Sequence, residues 1–113
     1  NENKLQYFSI ENSEKTDFKV TIPSSIAKLK KLEILVFNNC IDSLPEEIGQ
    51  LTNLTFLTVK NCPNLTKLPE SLRGMPKLTF VNLEGSPNVQ LPDWWETRYE
   101  TFEGTEMWGE KED

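Results

Sequence analysis

The side chains of this sequence best suited by type to chemistry are two cysteines, Cys40 and Cys62, and one adjacent carboxylate pair, Glu46-Glu47. A thiol pair can form a disulfide, hold zinc or supply a nucleophile, and paired carboxylates are the working groups of glycoside hydrolysis. The chain has no histidine, which removes the commonest general base near neutral pH, the usual nucleophile triads and every His-ligated metal site. Two thiols without histidine or a CxxC spacing do not make a zinc site, so no metal and no cofactor are expected. Neighbours on a helical turn point about 100° apart, so Glu46 and Glu47 do not converge on one bond. Their charge is accounted for by the N-terminal end of a helix dipole. No catalytic residue emerges, and the chain does not read as an enzyme. Asn53-Leu54-Thr55 and Asn64-Leu65-Thr66 fit the N-glycosylation pattern, which matters only for a chain secreted through a eukaryotic pathway.

The elements that position these groups follow from an internal repeat. The pairs Ile22-Pro23, Leu44-Pro45, Leu68-Pro69 and Leu91-Pro92 recur at spacings of 22, 24 and 23 residues. A large apolar residue follows each proline by three: Ile26, Ile48, Leu72 and Trp95. Between the pairs lie strings of the form LxxLxLxxC: Leu32, Leu35, Phe37, Cys40; Leu54, Leu57, Val59, Cys62; and Leu78, Val81, Leu83, Ser86. A degenerate first copy reads Leu5, Phe8, Ile10, Ser13. The fourth and sixth positions alternate with period two, so each copy supplies a short strand with one face inward. Proline presets helical φ for the segment that follows, and Glu46, Glu47, Glu70 and Asp93 put carboxylates beside the N-terminal end of the helix dipole after the second, third and fourth pairs. From the ninth motif position to the next Leu-Pro-type pair the spacing is 9 residues in copy one against 4, 6 and 5 in the others. The first copy therefore has an insertion. Within it Phe18-Lys19-Val20-Thr21-Ile22 alternates apolar and polar residues, which predicts a short extra strand on the convex side.

These residues, and above all LPEEIGQLTNLTFLTVKNCPNLTKLPESL from Leu44 to Leu72, resemble the leucine-rich repeat family. The LPxxIGxLxxLxxLxL form is similar to plant-intracellular, Ras-group and bacterial repeats. The resemblance implies an α/β fold: a right-handed solenoid of about four repeats, with a parallel β-sheet on the concave face and short helical or 3₁₀ turns on the convex face. The expected organisation is a repeat array over residues 1–92, with copies about 5–28, 29–50, 51–74 and 75–92, followed by an aromatic cap and acidic tail over 93–113. In the family the ninth position carries Asn or Cys turned inward to satisfy loop backbone groups, which implies the same for Cys40 and Cys62. Parallel strands lie ~4.8 Å apart, inside the disulfide window, but the Cβ vectors run parallel instead of converging. Two buried, unpaired thiols are expected.

Stacking the strings over one another exposes a second pattern. Positions three, five and seven face away from the core. Position three reads Tyr7, Ile34, Phe56, Phe80; position five Ser9, Val36, Thr58, Asn82; position seven Glu11, Asn38, Lys60, Glu84. The inward columns already fill the core, so four large apolar side chains on the wet face mark a contact stripe. Strand propensity and mutual cross-strand shielding are the competing explanation. The residues assigned to partner binding are Tyr7, Ile34, Val36, Phe56, Thr58, Lys60, Phe80 and Asn82. Hiding ~400 Å² of stripe at ~25 cal/mol/Å² gives ~10 kcal/mol, which association costs of ~4–15 kcal/mol largely absorb. Flanking polar contacts are therefore needed for tight binding.

At 113 residues the chain has room for one domain, and no apolar run approaches the ~18 residues of a membrane helix. Charge is unevenly placed. Residues 1–92 balance ten acids with ten bases, whereas 93–113 hold eight acids against Arg98 and Lys111, which carries the whole net charge of −6. Neither part attracts phosphates, so nucleic acid and membranes are not expected as partners. After the last Leu-Pro pair come Trp94, Trp95, Tyr99, Phe102 and Trp108, read as a plug for the open end of the solenoid. At the other end too few residues precede Leu5 to cover the first coil, so that edge is expected to fray or pair with another chain. The sequence begins at Asn1, and residues 1–28 have no signal-peptide core, so upstream sequence is expected to have been removed or left out. Two thiols lean the compartment toward a reducing, cytoplasmic one. The functional expectation is a module that binds a protein or peptide through its concave sheet. The rival is a structural C-terminal segment of a larger receptor or effector, immune-receptor-like, whose binding or catalytic part lies upstream.

Overall fold

An apolar residue at every second position gives each string one buried and one wet face, and strands of this kind must stack to bury it. The computed structural model describes residues 5–12 and 19–111 and shows that stack. Strands β1 (Tyr7–Glu11), β2 (Ile34–Asn38), β3 (Phe56–Lys60) and β4 (Phe80–Asn82) pair in parallel. Their register runs Tyr7–Ile34–Phe56–Phe80, so equivalent motif positions lie side by side. Beneath them Leu35, Phe37, Leu57, Val59 and Val81 are fully buried.

The return segments are 3₁₀ turns at Ser24–Lys28, Glu46–Gln50 and Glu70–Gly74, packed side by side. Each closes through a proline carbonyl three residues back. Ile26, Ile48 and Leu72 donate their N–H groups to Pro23, Pro45 and Pro69 at 3.1, 3.2 and 3.2 Å. The prolines sit just outside the turns in extended conformation, Pro45 at φ −78° and ψ 153°, so they mark the boundary instead of presetting the first helical φ. That position needs an acceptor and no donor, which is what proline offers. Glu46 also acts differently from the dipole expectation. Its carboxylate takes the N–H groups of Glu70 and Ser71 at 3.1 and 3.0 Å, so it caps the next turn instead of its own. Glu70 repeats the reach, accepting Trp94 Nε1 at 2.6 Å.

Strand ends turn sharply at motif position eight. Asn39 (φ 57°), Asn61 (φ 56°) and Gly85 (φ 76°) are all left-handed there, a conformation that only Gly, Asn and Asp visit readily. The following position is the inward one. Cys40 and Cys62 are buried and unpaired, and burial raises the Cys40 thiol above its usual range, with a backbone hydrogen bond at Asn38 opposing. Cys62 Sγ donates to Lys60 O at 3.2 Å. In the next coil Ser86 does this work with oxygen, taking the Cys62 N–H at 3.0 Å and donating to Val59 O at 2.8 Å.

Two further sequence expectations change. The insertion in copy one forms no strand over residues 19–22; Val20 N–H donates to Cys40 O at 2.6 Å, but a single bond does not make a ladder, and Phe18 lies outside the described residues. The C-terminal segment is more than an aromatic plug. A four-residue helix α1 (Trp95–Arg98) leads into β5 (Tyr99–Thr101) and β6 (Met107–Glu110), a hairpin that joins the sheet in the order β1-β2-β3-β4-β6-β5. β6 runs antiparallel to β4, so the parallel stack ends in a reversal of direction. Trp95 and Tyr99 are fully buried, their rings 4.6 Å apart, with Trp108 edge-on to Trp95 at 6.0 Å. The Trp95 indole nitrogen is the buried side-chain polar atom left without a hydrogen bond among the described residues.

Arg98 closes this end. Its guanidinium donates to the carbonyls of Leu72, Arg73, Met75 and Leu78 at the end of the last 3₁₀ turn and along its exit. It also lies over the Tyr99 ring, 4.9 Å from the centroid. The Tyr99 hydroxyl donates to Leu78 O at 3.3 Å, and burial pushes its pKa up to about 12 against the opposing pull of Arg98.

Candidate functional site

Outward alternation brings the eight assigned residues onto one face of the sheet. Tyr7, Ile34, Phe56 and Phe80 form one row across four strands, with Val36, Thr58 and Asn82 in the next. Tyr7 is 56% exposed and Phe56 44%, while Ile34 and Phe80 are half-buried. Phe56 meets Phe80 edge-on, ring centroids 5.6 Å apart at 88°. Ile34, Phe56, Thr58 and Phe80 line a shallow, open depression of ≈ 290 Å³. Among the polar members, Lys60 pairs with Glu84 at 3.8 Å, and Asn82 Oδ1 accepts the Glu84 N–H at 2.9 Å. Those two side chains already hold the rim of the face in shape.

The row is longer than the repeat pattern. Gly109 of β6 stands beside Phe80 in register, and the Phe102 ring lies across it. A Cβ at Gly109 would stand 2.9 Å from Phe102 Cζ, so only glycine lets that ring settle there. Phe102 and Phe80 are then 5.8 Å apart, and Phe102 remains 45% exposed. Counting Phe102 among the rings that plug the end is therefore incorrect: it extends the outward row. A glycine paired with an exposed aromatic in a hairpin is the sequence signal that marks it, and it is readable only once the hairpin is known.

The chemically interesting groups of the sequence are occupied elsewhere. The Glu46 carboxylate is committed to two backbone N–H groups, so Glu46-Glu47 is no free acid pair. Asn53, in one glycosylation pattern, donates to Lys30 O at 2.8 Å and accepts Lys77 Nζ at 3.1 Å. No cluster of metal-ligating side chains exists among the described residues, and no helix among them is long and apolar enough to cross a membrane.

Residues 53–75, which hold β3 and its 3₁₀ turn, match the Leucine Rich Repeat family model. Among solved structures the chain is similar to the leucine-rich repeat domain of the type III effector XopL, with a TM-score of 0.52. The chain folds as a leucine-rich repeat solenoid. The XopL likeness covers 78% of this chain at 17% identity, a likeness of fold, and the chain spans about half the length of that domain, 47%. No curated protein matches. Leucine-rich repeat domains generally mediate protein–protein interaction and are typically not enzymes. In this solenoid the surface that the repeat geometry leaves wet and apolar is the row from Tyr7 to Phe80.

Proposed function

We propose that this leucine-rich repeat chain is a non-enzymatic binding module that takes a protein or peptide on its concave sheet face. The contact residues are Tyr7, Ile34, Val36, Phe56, Thr58, Lys60, Phe80 and Asn82. The observation that carries the reading is the half-exposed aromatic row, which the core does not need where Leu35, Phe37, Leu57, Val59 and Val81 beneath it are fully buried. Burial of such rings is where interfaces concentrate their energy. A balanced or acidic surface gives nucleic acid and anionic lipid no electrostatic hold, so neither is part of the reading. The test is amide chemical-shift mapping of the labelled chain with peptides selected on it from a random displayed library. Shifts centred on Ile34, Phe56, Thr58 and Phe80 support the reading. Shifts centred on the 3₁₀ turns at 46–50 and 70–74 overturn it.

A second reading rests on a separate observation. On the outer side of β1, Leu5, Phe8, Ile10, Val20, Ile26 and Leu29 line an apolar depression. A preceding coil of a larger receptor or effector would cover that surface, and so would a second copy of the chain pairing along the β1 edge. Sedimentation at rising concentration separates the two: association supports pairing, and a steady monomer supports an upstream coil.

A further inference from the structure

The concave face ends in a charge pattern that the repeats do not require. Glu100 pairs in register with Gly109, which places it on the outward side of the sheet beside the Phe102 ring. Glu106 sits at the same end, its carboxylate accepting the Gly85 N–H at 2.8 Å. Two bases of this region are already engaged, and the third, Lys111, follows β6 with its N–H bonded to Arg98 O. Arg98 is committed to four carbonyls on the core side, and Lys60 to Glu84. Among the described residues Glu100, Glu103 and Glu106 make no ion pair. One end of the aromatic row is therefore rimmed with an excess of negative charge, Glu100, Glu103 and Glu106 against Lys111, and the rings themselves present electron-rich faces.

Aromatic faces beside a carboxylate attract cations, guanidinium above all, because its flat, weakly hydrated plane stacks on a ring while its edge bonds to the acid. One step back along the row, the depression lined by Ile34, Phe56, Thr58 and Phe80 is apolar and unfilled. Neighbouring rings in the row are 5.6 and 5.8 Å apart. In an extended peptide, side chains two residues apart share a face at about 6.6 Å. The two spacings match closely enough for alternate side chains of one strand to occupy adjacent places in the row.

Resting on the concave-face reading, the geometry points to an extended segment of a partner protein with a large apolar side chain followed two residues later by arginine. The apolar side chain fills the depression, and the guanidinium lies on Phe102 and Phe80 facing Glu100. This also supplies the polar contact that an apolar stripe needs to outweigh the cost of association. Gly109 belongs to the device, since any side chain there would displace the Phe102 ring.

The experiment pans a random heptapeptide display library against the full chain and then measures synthetic versions of the enriched peptides by fluorescence anisotropy. Enrichment of Leu, Ile, Met or Phe with Arg two positions away is expected. Binding of such a peptide should fall about tenfold on Phe102→Ala, and similarly when its arginine is replaced by neutral citrulline. Glu100→Lys should weaken the arginine peptide and improve a version carrying Glu in its place. Phe102 and Glu100 are exposed, and far-UV circular dichroism and melting confirm that each variant is folded. Enriched peptides that lack a basic residue, need Phe56 and ignore Glu100→Lys overturn this inference and leave the concave-face reading standing. Peptides indifferent to both Phe56→Ser and Glu100→Lys, or no enrichment at all, overturn the two together.

Discussion

Phe56 and Leu57 are neighbours in β3, and they divide the molecule between them. Leu57 is fully buried and stacked with Leu35 and Val81 from the adjoining strands, whereas Phe56 is 44% exposed and touches Phe80 edge-on. The same division runs through β2, β3 and β4. Inward rows meet turn residues such as Ile48 and Leu72 across a closed core, while the outward row has rings on its flanks and water above. Both rows have strand-favouring chemistry, so propensity does not separate them; what separates them is how many partners each loses on truncation. A solenoid makes that difference sharp, because each inward side chain is packed by its own coil and by the coils on either side.

The inward row should be the more fragile by a wide margin. Phe37→Ala removes a fully buried ring from the middle of the stack and should cost about 3–5 kcal/mol. Set against a total of about 5–15 kcal/mol for a domain, that leaves much of the chain unfolded, as urea denaturation would show. Arg98→Ala should cost about 1–3 kcal/mol by taking a donor from four carbonyls, of which Leu72 O keeps the Met75 N–H and Leu78 O the Tyr99 hydroxyl while Arg73 O and Met75 O lose the guanidinium. Arg98→Lys should recover only part of this, since a compact ammonium does not span four acceptors. A full rescue by lysine would mean that charge alone holds the cap.

Alkaline titration sharpens the comparison further. Tyr99 titrates at about 12 in the fold against an ordinary 10.0, so the unfolded chain loses its proton first. The stability this group adds is fully present below pH 10 and is lost as the pH rises toward 12. Urea midpoints should therefore decline over that window, and Tyr99→Phe should flatten the decline at the cost of its hydrogen bond to Leu78 O. An unchanged decline in the variant would place the alkaline sensitivity elsewhere.

Much of this division was legible in the sequence, because motif spacing sets register directly. Once Leu35 and Leu57 occupy the same motif position, Phe56 and Ile34 must stand side by side on the other face. The shared inward site of Cys40 and Cys62 was legible for the same reason. What escaped were contacts between coils and beyond them. The Glu46 carboxylate reaches residues 70 and 71, and no pattern local to LPEEIG reveals that. Asn39, Asn61 and Gly85 share a left-handed position whose common feature is conformational, not hydrophobic. The terminal hairpin was missed because it follows no repeat. Its strands are short, and Arg98, Phe102 and Gly109 gain meaning only from β4 and the last 3₁₀ turn. The alternation read over Phe18–Ile22 misled because period two does not by itself supply a ladder, and Val20 makes a single backbone bond, to Cys40 O.

If the outward row serves binding and the inward row serves the fold, the double variant Phe56→Ser/Phe80→Ser separates the two. Its urea midpoint and its affinity for library-selected peptides would be measured on the same preparation. The expected result is a loss of only about 1–2 kcal/mol in stability, the scale of edge-on ring contacts and partial burial, together with loss of peptide binding. Unfolding on the scale of Phe37→Ala would show that the rings are core, and undiminished binding by a folded variant would show that the partner surface lies elsewhere.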